Sequence, residues 1–154
     1  MEIRKAVASD APEICSVVRA SIIELCFADH KGDPQFLAPW LANKTPDHVA
    51  HWLANPMNII LVAENGGAVL AAGCVTLSGE IRLNYVAPAA RFQGVSSALL
   101  AEMEATAARH GNCICTLEST GTAHRFYERR GFHDAAAAAV GKFGLTTYPM
   151  SKAL

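Results

Sequence analysis

At 154 residues, 51% of them hydrophobic and 18% charged, the chain suits one globular domain with a sizeable core, and it excludes disorder and repeat arrays. Thirteen basic and fourteen acidic residues leave a formal charge of -1, which gives no sequence-wide pull toward nucleic acid or an anionic membrane. No uncharged apolar run reaches the roughly 20 residues of a spanning helix, and Glu2, Arg4, Lys5 and Asp10 rule against a cleavable leader, so a soluble cytoplasmic protein is expected.

Residues 2–7 alternate in polarity and predict a short strand. Asp10 and Glu13 have capping-pair spacing, and Ile14, Val17, Val18, Ile22 and Leu25 recur every three or four residues, predicting an amphipathic helix to about residue 28. Residues 29–34 form a polar break before the segment FLAPWL, after which Thr45 caps an expected helix over Pro46–Ala54. The texture then becomes β. Residues 59–64 and 68–77 flank Asn65-Gly66-Gly67 as an antiparallel hairpin, and Ser78-Gly79 turns the chain into a third strand over 80–86. PAARFQGVSSALL, residues 88–100, passes from a proline turn into a helix with Val95, Leu99, Met103 and Thr106 on one face, stopped at His110 and Gly111. A strand over 113–118, a short helix over about 122–130 and a final hairpin around Gly141–Gly144 complete the order. The result is a mixed α+β sheet, first antiparallel and then with one βαβ crossover, in a single domain over residues 1–154.

Five cysteines, Cys15, Cys26, Cys74, Cys113 and Cys115, are odd in number, lack CxxC spacing and sit in apolar segments, so they read as buried small hydrophobes in a reducing compartment. Cys113 and Cys115 share a strand face, and His48 and His51 have helical spacing. Neither pair has the further ligands a metal needs, and no metal site is expected.

The chemistry concentrates at the turn before the crossover helix. A helix N-terminus leaves its first N–H groups unpaired and carries about half a positive charge. Small residues there let phosphate oxygens reach the main chain. Gly94, Ser96 and Ser97 meet that requirement, and Arg91 adds a fork of donors. Neither GxGxxG nor a Walker GKS/GKT run occurs.

With AHRFYERRGF, residues 123–132, this stretch resembles the GNAT N-acetyltransferase superfamily. Arg91, Gly94 and Ser96 follow the acyl-CoA motif RxxGxG/A, with serine in place of the last glycine or alanine. Leu83, Tyr85, Val86 and Pro88 match the preceding strand, and Ala123, Phe126, Tyr127, Gly131 and Phe132 match the AxxFYxxxGF helix. Thr120 stands where many members carry asparagine.

The resemblance implies a mainly antiparallel sheet of six to seven strands flanked by about four helices, with a splayed parallel strand pair. It also implies acetyl-CoA as co-substrate. The pantetheine arm would lie between strands 80–86 and 113–118 beside Asn84, Tyr85, Val86 and Thr120. The diphosphate would sit on the amides from Arg91 through Gln93, Gly94, Val95 and Ser96 to Ser97. Tyr127 is the expected proton donor to the leaving thiolate, and an N–H near Tyr85 or Val86 would steady the carbonyl oxygen. For the base, Glu80 on the strand before the turn is the first candidate and Glu118 on the neighbouring strand the second; Asn84 can orient an acceptor or water.

A small-molecule or peptide amine would approach the loop 26–36, where Asp29 and His30 are candidate contacts. Trp40 and Trp52 either wall that site or pack the helices. Homodimers are common among such domains, and no interface is legible here. The alternative reading is a non-catalytic acyl-CoA-binding or regulatory module of the same fold.

Overall fold

The computed structural model describes residues 1–154. Strands β2 (Asn58–Asn65) and β3 (Ala68–Thr76) carry apolar residues on both sides, because both faces of the sheet centre are covered by helices. Ile60, Val62, Ala72 and Cys74 enter one core layer, and Leu61, Ala63, Ala71 and Val75 enter the other. Strand β1 (Glu2–Lys5) pairs antiparallel with β2, and β4 (Glu80–Val86) pairs antiparallel with β3. Strand β5 (Ile114–Ser119) runs parallel to β4, and β8 (Thr146–Ala153) returns antiparallel to β5. Two-residue strands β6 (His133–Asp134) and β7 (Ala139–Val140) both pair with β8, making eight strands.

Helix α1 (Ala11–Leu25), α2 (Phe27–His30), α3 (Pro34–Ala42) and α4 (Pro46–Ala54) lie on one face, with Ile14, Val18, Ile22, Trp40 and Val49 in its core. Helix α5 (Val95–Arg109) covers the other face through Val95, Leu99, Met103 and Thr106, all buried, as their shared helical face requires. Burying each such aliphatic side chain contributes about 1.5 to 3 kcal/mol. Helix α6 (His124–Glu128) closes that side next to β5. Gly73 on β3 lets α5 approach closely: a Cβ there would lie 2.7 Å from the Met103 sulfur.

Several local expectations change in the folded chain. Asp10 and Glu13 do not cap each other; Asp10 accepts from the Val7 N–H and from Arg4, while Glu13 accepts from the Val69 N–H. The first helix ends at Leu25 rather than near residue 28, and the chain beyond it forms α2 and α3, which leave only residues 31–33 of the expected polar break between them. Asp33 initiates α3 by accepting from the Gln35 N–H at 2.9 Å. The Thr45 cap on α4 is present, accepting from the His48 N–H. Cys113 lies just outside β5 and is exposed, whereas the other four cysteines are buried.

Burial sets an alkaline limit on stability. Desolvation pushes the thiol of Cys26 up to about 12 and those of Cys74 and Cys115 up to about 11, and raises Cys15 as well. An unfolded chain releases these protons near a reference pKa of about 8.5. The unfolded state therefore binds fewer protons above that point, and this contribution, complete below it, is lost as pH climbs toward the folded values. Lys44 acts in the opposite sense: burial, and then Lys142, lower its pKa to about 8. One amine opposes several thiols, so the urea midpoint of the reduced protein falls between about pH 8 and pH 10.5, and Cys74→Ala flattens the slope. A midpoint constant over that range refutes the assignment.

Candidate active site

The parallel ladder between β4 and β5 is short. Glu80 pairs with Thr116 and Ile81 with Leu117, and beyond these the strands part. A bulge starts the divergence: Leu83 pairs with Cys74 and Ile81 with the next residue, Val75, so Arg82 is an extra residue on β4. The Ala87 N–H donates to Leu70 O at 2.7 Å. Strand alternation then directs the N–H groups of Val86 and Asn84 away from β3, into the gap.

The gap opens into a cleft of about 600 Å³. One wall is Ser21, Leu25 and Cys26 of α1 and its end; the other is Thr120, Ala123, Phe126 and Tyr127 of the β5–α6 segment. The turn from Arg91 to Ser97 forms its far end.

That turn is built to meet an anion. Gly94 has φ 78°, a left-handed conformation that glycine adopts without strain, and it starts α5 with no side-chain cap. The backbone N–H groups of Phe92, Gln93, Gly94, Val95, Ser96 and Ser97 find no acceptor in the chain. No acidic residue occupies the first turn of α5. Arg130, stacked on Phe126 at 3.9 Å, donates to the Ser97 hydroxyl. Arg82, Arg91, Arg125, Arg129 and Arg130 line the cleft against a single carboxylate, Glu118. Dipole, open amides and guanidinium groups all favour a multiply charged anion.

Tyr127 faces the cleft from α6, packed edge-on against Phe126 and Phe132. Its hydroxyl accepts from the Asn84 amide at 3.3 Å. Burial raises its pKa to about 12 despite that bond, so the phenol keeps its proton throughout the neutral range. The Asn84 side-chain carbonyl oxygen is buried without a hydrogen-bond partner. Thr120 accepts from the Ala123 N–H at 3.1 Å and so shapes the turn into α6. Tyr85 lines the opposite wall, its hydroxyl pKa raised by burial and held by the Trp40 side chain.

The fold thus gathers Asn84, Tyr85, Val86, Arg91, Gly94, Val95, Ser96, Ser97, Thr120 and Tyr127 around one cleft. Four expected residues lie outside its lining. Glu80 sits where the strands still pair, half-exposed and in an ion pair with Arg82 at 3.4 Å. The Gln93 side chain donates to Ala89 O, leaving only its backbone N–H turned to the anion site.

Asp29 is not a free carboxylate. It accepts from the Gly121 N–H at 2.7 Å, the Thr122 N–H at 3.1 Å and the Thr122 hydroxyl, tying α2 to the β5–α6 turn. His30 is 1% exposed, donates from Nε2 to Ile22 O and accepts at Nδ1 from the Gly32 N–H, so no ring nitrogen remains for a substrate. Trp40 is buried in the core, where it packs helices. Arg125, Arg129 and Arg130 carry no assignment from the sequence: only Arg125 and Arg129 have the i, i+4 spacing of a shared helix side, and Arg129 and Arg130 lie beyond the end of α6, so the fold brings the three together.

The sequence matches a family model described as an acetyltransferase (GNAT) domain over residues 30–154. No curated protein matches at a significant level. Among solved structures, a GCN5-related N-acetyltransferase from Rhodopseudomonas palustris is 21% identical, covers 99% of this chain and 95% of its own, and superposes with a TM-score of 0.88. A PaiA N-acetyltransferase from Thermoplasma acidophilum, solved in complex with coenzyme A, is 18% identical, covers 99% and 98%, and gives a TM-score of 0.80. A ribosomal-protein-alanine N-acetyltransferase from Brucella melitensis is 25% identical over 100% of both chains, with a TM-score of 0.69. No helix is long and apolar enough to cross a membrane. With the family model covering most of the chain and the parted strands and open helix terminus in place, the protein belongs to the GNAT acetyltransferase family.

Proposed function

We propose that the protein transfers the acetyl group of acetyl-CoA to a primary amine by direct attack within a ternary complex. The observation that carries this reading is the run of partnerless N–H groups from Phe92 to Ser97 at the end of a gap between two parallel strands. A diphosphate matches the run, and an amide-bearing arm matches the gap. The buried, unpaired oxygen of Asn84 fits an amide N–H of that arm. Acetyl-CoA supplies the acyl group as a thioester, already activated toward amines.

The chain's own residues divide the remaining work. The amides from Phe92 to Ser97, with Arg91, hold the diphosphate. The Val86 N–H is the donor for the thioester carbonyl oxygen, where negative charge grows during attack. Tyr127, neutral and oriented by Asn84, gives its proton to the departing thiolate.

An alkyl amine has a pKa near about 10.4 and needs a base to free its lone pair. We assign that role to Glu118 in place of Glu80, because Glu118 lines the cleft and Glu80 does not. Its negative charge also favours a cationic acceptor, and the reaction is placed in the cytoplasm, where reduced thiols persist.

Thiol release from acetyl-CoA, followed across polyamines, amino acids, aminoglycosides and peptides with free N-termini, tests the reading. We expect saturable release with at least one class. Saturable CoA binding with no release from any of them would instead identify a binding module.

A further inference from the structure

We infer that the exposed ring of Phe92 is the stacking platform for the adenine of the acyl-CoA donor, an inference that rests on the proposed reading of the cleft. Phe92 lines the cleft rim and is 90% exposed, although it is a large apolar side chain. Its backbone has φ 62°, a left-handed conformation disfavoured for any residue with a Cβ and most unusual for a bulky one. Neither core layer includes it. Fold stability thus gains nothing from phenylalanine here, and glycine would relieve the backbone.

What the residue does offer is position. Its N–H begins the partnerless run at the anion site, and its ring stands beside that run at the mouth. The Arg91 guanidinium lies over the ring, 4.5 Å from its centroid, which puts a cation against one ring face and leaves the rest of the 90% exposed side chain open.

The geometry of the donor does the rest. Its diphosphate joins two parts: the pantetheine arm, which enters the gap between β4 and β5, and the adenosine, which must leave the anion site in the other direction. The exit is the rim where Phe92 stands. A purine has two π faces, and stacking on an aromatic side chain contributes about 1 to 3 kcal/mol, or about 5- to 150-fold in affinity.

Two donors separate this role from any effect on folding or chemistry: acetyl-CoA, and acetyl-4′-phosphopantetheine, which keeps the arm and one phosphate but lacks adenosine. The quantity read is the ratio of their kcat/KM values. Phe92→Ala and Phe92→Gly each lower the preference for acetyl-CoA by about 5- to 150-fold. Phe92→Trp retains it. Phe92→Gly also raises Tm, because glycine accepts the left-handed backbone. A preference unchanged in both Phe92→Ala and Phe92→Gly, while the unaltered protein turns over acetyl-CoA, overturns this inference alone. Failure of the unaltered protein to bind either donor overturns it together with the function proposed above.

Discussion

Replacing Tyr127 with phenylalanine lowers kcat by about 10²- to 10⁴-fold and leaves the Kd for acetyl-CoA within about twofold. The substitution removes one oxygen from a ring held by Phe126 and Phe132, so packing survives. Only the proton donor and one hydrogen bond from Asn84 are lost. That bond is long, at 3.3 Å, and its loss is a minor cost beside the chemical effect.

The pH profile adds a second check. With a pKa pushed up to about 12, Tyr127 stays protonated up to strongly alkaline conditions, so no loss of kcat at neutral or mildly alkaline pH belongs to its ionisation. Stopped thiol-release assays measure kcat, and calorimetry measures Kd. A turnover number equal to that of the unaltered protein removes Tyr127 from the mechanism.

The second large effect concerns the anion site. Gly94→Val reduces CoA affinity by about 10- to 10⁴-fold, the loss of one or two hydrogen bonds to charged oxygens at about 1.5 to 3 kcal/mol each. A Cβ on Gly94 meets no protein atom within 4 Å, so the space it enters is open and not filled by the fold. The left-handed backbone of Gly94 adds about 1 to 2 kcal/mol of strain in any L-residue, which lowers stability without unfolding a domain of ordinary stability. Gly94→Ala carries the same strain with a smaller intrusion and falls between the two proteins in affinity. Calorimetric titration with CoA, alongside thermal melts, separates the two costs. Normal affinity in Gly94→Val contradicts the diphosphate assignment.

Much of this site was legible from short-range chemistry. Gly94 at a helix start, serines after it and an arginine before it describe an anion cradle that needs only the local chain, and the structure shows its amides open as that reading requires. Tyr127 could be assigned to the cleft because strand, turn and helix follow in a few residues. The base could not. Glu80 and Glu118 are equivalent in a linear reading, each a carboxylate on a strand of the parallel pair. They are distinguished by where the strands separate, which depends on the Arg82 bulge and on the register with β3 and β5.

Asp29 and His30 show the same limit from the other side. Both look like solvent-facing loop residues between two helices. Asp29 is spent on the amides of a turn 92 residues away, and His30 is closed in by helix packing. Their partners are chosen only when α2 folds against the rest of the domain.

The sequence by itself determined the strands from β1 to β5, the helices α1, α4, α5 and α6, the closing hairpin and the glycine turn that starts α5, because hydrophobic periodicity and helix-end chemistry act over a few neighbouring residues. Tertiary structure alone decided which carboxylate faces the cleft, which arginines surround it and which polar side chains serve the scaffold. Those outcomes depend on contacts between distant segments, and a charge changes role when burial and hydrogen bonding replace its water.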